Sequence, residues 1–131
     1  MVCLDTDIII DFFRKDKQTL QKIELLEKQG MDLSMTTISS FEIWRGTLQP
    51  QGRESVQEVN HFLENITLFD FTLDASKKSA EVFEQLKSQG GMIELTDIMI
   101  AAICISKNEP LLTRNTKHFE RIPGLKLEPF S

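Results

Sequence analysis

The sequence predicts an α/β fold, a short parallel β-sheet flanked by helices on both faces, within one domain over residues 1–131. Three observations predict it. Short apolar runs alternate with helical stretches, the order a parallel sheet requires because each crossover is usually a helix. The 131 residues, 40% hydrophobic and 27% charged, have single-domain size and ordinary globular composition. Residues 96–105 carry Ile98, Met99, Ile100, Ala101, Ala102, Ile103 and Ile105 with no polar face, which predicts a helix buried all round.

The elements follow in order. Residues 1–4 form an apolar run cut off by Asp5, consistent with a buried strand. Thr6 can cap a helix in which Ile8, Ile9, Phe12 and Phe13 recur at helical spacing. Residues 17–29 place Leu20, Ile23 and Leu26 on one side, with Gly30 as a stop. A strand fits residues 33–36, a helix residues 39–45 ended by Gly46, and a second helix the stretch with Val56, Val59, His61, Phe62 and Leu63. Residues 66–71 suit a strand, and residues 73–89 an amphipathic helix with Ser79, Phe83 and Leu86 aligned before Gly90 and Gly91. After the buried helix come a strand at 110–113, a turn or short helix at 115–121 and a final strand at 125–130.

Fifteen basic residues against twenty acidic ones leave a net charge of −5. Proteins that hold nucleic acid by overall charge are usually basic, because binding releases counterions from phosphates. Nucleic-acid contact here therefore needs a local basic patch, or metal ions that invert the sign of an acidic pocket. No apolar run reaches the roughly 18 residues of a membrane span, and MVCLDTD lacks the basic region of a secretory signal. Cys3 and Cys104 lie in apolar surroundings without ligand spacing, as expected of thiols in a reducing, cytoplasmic compartment.

In an open α/β sheet, sites form beyond the carboxyl ends of the strands. Asp5 directly follows the first strand and Asn115 follows Leu112 and Thr113. Glu42 lies one turn beyond Ile38 on the inward-tending side of its helix, and Asp97 joins the group if the buried helix starts there. Three carboxylates in one pocket repel each other, and a divalent cation resolves the conflict. Oxygen ligands suit Mg²⁺ or Mn²⁺, whereas zinc favours His and Cys, of which the chain has two each. The chemistry that fits is phosphodiester hydrolysis, since such an ion activates water and offsets phosphate charge.

Four segments, LDTDIIIDFF at 4–13, SSFEIWRG at 39–46, ELTDIMIAAI at 94–103 and LLTRNTKHFERIPGLKL at 111–127, resemble the PIN-domain proteins, specifically the VapC-type toxin ribonucleases of toxin–antitoxin pairs. Their order and spacing, reaching from the first strand to the last, carry the resemblance. It places the family's three acidic positions on Asp5, Glu42 and Asp97, and its fourth, an acid or amide, on Asn115. An amide there is a weaker candidate for direct metal ligation. The resemblance also implies Mg²⁺- or Mn²⁺-dependent RNA cleavage, inhibition by a cognate antitoxin, and homodimers.

Each residue also has a plainer reading. Asp5 and Asp97 can cap helices, and Glu42 can pair with Arg45. Asp7 is read as a cap or a solvent-facing residue, and Asp11, four residues on, repels it. Thr6 orients a water or caps a helix; Thr113 and Asn115 support the site or form an Asx turn. His118 is a candidate general acid or a structural imidazole. Arg14, Lys15, Arg45, Arg114 and Lys117 are candidate RNA contacts or solvated surface, and Trp44 is read as core or interface rather than a stacking platform. Two other functions compete. Asp5-Thr6-Asp7 mimics the D-x-D of haloacid-dehalogenase-type phosphotransferases and phosphatases, but Ile9 stands where that motif expects Thr or Val. The other is an inactive PIN-like binding module whose acidic pocket only receives a partner's arginine.

Overall fold

The computed structural model describes residues 1–130. Its order is β1 (Val2–Leu4), α1 (Thr6–Phe13), α2 (Lys17–Lys28), β2 (Leu33–Thr36), α3 (Thr37–Thr47), α4 (Val56–Glu64), β3 (Thr67–Phe69), α5 (Leu73–Ser88), α6 (Leu95–Lys107), β4 (Leu111–Leu112) and α7 (Thr116–Phe119). The strands form a parallel sheet in the order β3-β2-β1-β4, pairing Val2 with Leu33, Cys3 with Leu111 and Met35 with Leu68. Every strand therefore ends at the same edge.

Alternation along β1 divides the core. Val2 and Leu4 face a layer built from Ile8, Ile9, Ile23, Leu26, Ile43 and Val59 of α1–α4. Cys3 faces Val82 and Leu86 of α5, Ile98 and Ala101 of α6, and Phe119 of α7. The sheet is thus covered on both faces, as the near-continuous apolar strands predict. Of α6, residues 100–104 are all buried, so its lack of a polar face reflects packing between α5 and the sheet.

Helix starts are fixed by side chains: Asp16 caps Thr19 N–H, Thr36 caps Ser39, Ser55 caps Glu58 and Thr72 caps Ala75. Gly30 and Gly90 follow α2 and α5 at φ +75° and +69°, where a side chain would strain the turn.

Four expectations change. The cap of α1 is Asp5 rather than Thr6, which is the first helical residue. Gly46 does not end α3, which runs on to Thr47 with Leu48 as C-cap. Asp97 does not open α6: the helix starts two residues earlier, after Glu94, and Asp97 sits within the first turn. The final strand over 125–130 shrinks to one parallel bridge between Leu127 and Leu111. β4 is only two residues long, and Pro129 has no N–H with which to extend a ladder. The tail instead turns across α2, where Glu128 meets the buried Lys22 ammonium at 3.0 Å.

Candidate functional site

The carboxyl edge of the sheet collects polar side chains from elements far apart in the chain. Because β1 ends at Leu4, Asp5 is at once the first residue past the strand and the cap of α1. Its Oδ1 accepts from the Thr6 N–H at 2.8 Å, and its Oδ2 accepts from the Thr113 hydroxyl at 2.7 Å. Thr113 directly follows β4, so neighbouring parallel strands deliver the acceptor and its donor side by side. Asp5 is 5% exposed and Thr113 1%, and the Thr113 hydroxyl accepts in turn from the Asn115 N–H.

Two more elements complete the edge. Glu42, on α3, accepts from Thr6 Oγ1 at 2.6 Å, while Ser39 Oγ lies 2.9 Å from the same hydroxyl. A hydroxyl has one proton, so with that proton on Glu42 the Ser39 hydroxyl donates the second bond. Asp97 projects from the first turn of α6, its side chain 19% exposed and its Oδ2 4.0 Å from His118 Nδ1. The Asn115 amide lies 2.7 Å from the same ring nitrogen, which leaves Nε2 to carry the proton of the neutral imidazole.

These surroundings penalise negative charge. Burial, then the neighbouring Asp7, push Asp5 up to about 7, against the opposing pull of its bonds from Thr113 and Thr6. Burial, then Glu42 and Glu94, push Asp97 up to about 6. Asp7 is also raised by burial; its Oδ2 accepts from the Arg114 N–H, and its Oδ1 is buried without a hydrogen-bond partner. The donors are all carboxylate, hydroxyl and amide oxygens, a set whose chemistry fits a hard divalent cation. Asp5 and Glu42 nevertheless hold their own hydrogen bonds, and among the described residues no three acidic, imidazole or thiol groups stand ready as an ion cage.

A match to the profile of the PIN domain family extends over residues 2–125, from the first residue of β1 to beyond α7. The chain belongs to the PIN domain family. It is 31% identical to Ribonuclease VapC1 of Methanocaldococcus jannaschii over 128 residues, covering 96% of this chain and 85% of the relative. It is 30% identical to Ribonuclease VapC2 of Rickettsia felis over 95% of this chain and 94% of that protein. Among solved structures, VapBC2 from Rickettsia felis, bound to a DNA fragment from its promoter, superposes with a TM-score of 0.84 at 26% identity, over 98% of each chain.

Of the residues singled out from the sequence of this PIN domain, Asp5, Thr6, Glu42, Asp97, Thr113, Asn115 and His118 gather at the one edge. Arg14 borders a cavity of about 240 Å³ that Glu42 and Arg53 also line, with its Nε 3.9 Å from Glu54. Lys15 and Lys117 are exposed, and Arg45 stands over the exposed Phe41 ring rather than pairing with Glu42. Trp44 packs against the α1–α4 core layer. The Arg114 guanidinium is turned toward α1 and α2, where Asp11, Asp16 and Gln18 accept from it. Asp7 is half-buried, with its Oδ2 accepting from the Arg114 N–H. Ser39 was missed, although its spacing of three from Glu42 puts both on one helix face. A larger cavity of about 610 Å³, walled by Phe12, Phe13, Ile23, Met31 and Phe62, holds none of these site residues.

Proposed function

We propose that this chain is an Mg²⁺- or Mn²⁺-dependent endoribonuclease toxin, acting as one PIN-like domain over residues 1–131 and neutralised by a cognate antitoxin. The observation that carries the reading is Asp5: a carboxylate sealed at the end of a central strand, where Asp7 and Asp97 add to the cost of its charge and Glu42 adds to that of Asp97. Relatives over most of the chain are named ribonucleases, which supports RNA as the substrate class.

Asp5, Glu42 and Asp97 would hold the cation, with Asn115 supporting from one side. A bound divalent ion would lower the pKa of a water and offset charge on the scissile phosphate. The chain's own groups do the rest. Thr113 and the Thr6 N–H fix both oxygens of Asp5, which keeps them aimed from a buried position. The Thr6 hydroxyl orients Glu42. Asn115 donates to His118 Nδ1 and so orients the ring beside Asp97. Arg14, Lys15, Arg45 and Lys117 supply the local positive charge that an RNA strand needs on a protein of net charge −5.

The antitoxin reading is supported by a similar solved structure, a toxin–antitoxin complex from Klebsiella pneumoniae, and by the acidic edge, which suits a basic segment whose guanidinium pairs with carboxylates. A homodimer is supported by large exposed apolar side chains on three helices, Phe41 and Leu48 near α3, Leu73 on α5 and Leu95 on α6. No helix is long and apolar enough to cross a membrane among the described residues, and the free thiols Cys3 and Cys104 agree with the cytoplasm as the place of action. The test is cleavage of defined RNAs by the purified chain. Cutting with Mg²⁺ or Mn²⁺ that stops with EDTA is expected; EDTA-resistant cutting by the pure protein overturns the metal mechanism.

A further inference from the structure

Arg114 lies between Thr113, which holds Asp5, and Asn115, which holds His118. Its backbone N–H donates to Asp7 at 3.1 Å, while its side chain leaves the site and reaches two helices. Nε donates to Asp11 at the end of α1. Nη2 donates to Asp16 Oδ2 at 2.7 Å and to Thr19 Oγ1 at 3.0 Å, and Nη1 donates to Gln18 at 3.0 Å, all at the start of α2. The Phe130 ring of the tail lies 4.8 Å beneath the guanidinium.

A planar fork occupied on both edges and covered on one face offers a phosphate little, but it fixes position well. Isolated surface ion pairs are weak; a guanidinium gripping two carboxylates and an amide on two elements, with a ring stacked below, restrains direction as well as distance. A lysine in its place would keep the charge and lose the fork.

We infer that Arg114 is a positioning residue: it ties the β4–α7 loop to α1 and α2, so that Thr113 and Asn115 hold Asp5 and His118 in register for phosphodiester hydrolysis. The inference rests on the ribonuclease reading for its catalytic consequence, but the tie itself is measurable without any substrate.

The test compares wild type with Arg114→Gln, Arg114→Lys and the pair Asp11→Asn with Asp16→Asn, in the full chain with Mn²⁺ and a defined RNA. Expected is a kcat loss of about tenfold or more in each, with KM unchanged, since a small misplacement of reacting groups costs rate before it costs binding. Lys does not rescue, and Arg114→Gln added to the Asp pair costs little more, because both break one unit. Backbone amide exchange over residues 112–116 rises in Arg114→Gln while that of α5 and α6 holds. A raised KM with a salt dependence reduced by about one phosphate contact makes Arg114 an RNA contact and overturns the inference. A lowered melting temperature with kcat and local exchange unchanged also overturns it, leaving only a surface staple. Should wild type cut no RNA under any metal, the ribonuclease reading falls, and the exchange rates alone decide whether Arg114 ties the loop.

Discussion

Replacing Asp5 by Asn makes the cost of its buried charge measurable. The folded protein holds this carboxyl up to about 7, against an ordinary value of 3.8, chiefly through burial. A carboxyl group raised by folding binds its proton more tightly in the native state. Its stabilising contribution is complete below about pH 4 and is lost as pH rises through 7. Three pH units at roughly 1.4 kcal/mol each give about 4 kcal/mol lost by pH 8 without metal. Asn is neutral throughout and keeps an oxygen for the Thr6 N–H, but the Thr113 hydroxyl loses its acceptor, at a cost of about 1 kcal/mol. In EDTA the Asn variant should therefore be about 3 kcal/mol more stable than wild type at pH 8, and about 1 kcal/mol less stable near pH 4. Excess Mn²⁺ should close the gap at high pH, because wild type gains roughly 2.7 kcal/mol at a hundredfold excess over Kd and the variant gains far less. Urea unfolding followed by circular dichroism between pH 4 and 8.5, with EDTA or Mn²⁺, reads both effects. A constant offset between the two proteins at every pH would refute the buried-charge account.

Two other substitutions address neighbouring groups. Asp97→Asn should leave α6 intact, since Asp97 makes no capping bond, and should match or exceed wild-type stability in EDTA at pH 8 while losing both the Mn²⁺-induced rise in melting temperature and RNA cleavage. Thr113→Val removes the donor to Asp5 and the acceptor of the Asn115 N–H; it should cost about 1–3 kcal/mol at pH 8 and raise the Asp5 pKa further, read from the pH dependence of unfolding.

Local pattern carried much of this molecule. The apolar run ending at Leu4, the stops at Gly30 and Gly90, and the apolar run of α6 all act within a few residues and could be read directly. That Asp5 and Glu42 face one edge was legible because each sits at a fixed place on its element. What escaped depends on partners distant in sequence. The Arg114 side chain is committed by Asp16 and Gln18, roughly a hundred positions earlier, and no window around residue 114 contains them. The expected last strand has a strand-like sequence, but its neighbour β4 offers only two residues to pair with. Asp7 reads locally as a surface acid, and its half-buried place follows from the β4–α7 loop, whose Arg114 N–H donates to it.

The hydrogen bond between Thr113 and Asp5 joins residues 108 positions apart, and β1 has β4 as one of its two neighbours in the sheet. A ribosome makes the chain from its N-terminus, so β1, β2 and α3 emerge long before the strand that completes the edge. Until residues 111–113 are released and docked, Asp5 lacks its hydroxyl donor and Asn115 has not reached His118. Through most of its translation the nascent polypeptide therefore lacks the completed edge. That edge is completed late, by a non-local pairing of the kind that forms slowly. For the ribonuclease proposed above, that order would confine cutting to chains whose edge is complete, the same folded form an antitoxin of the proposed kind would recognise.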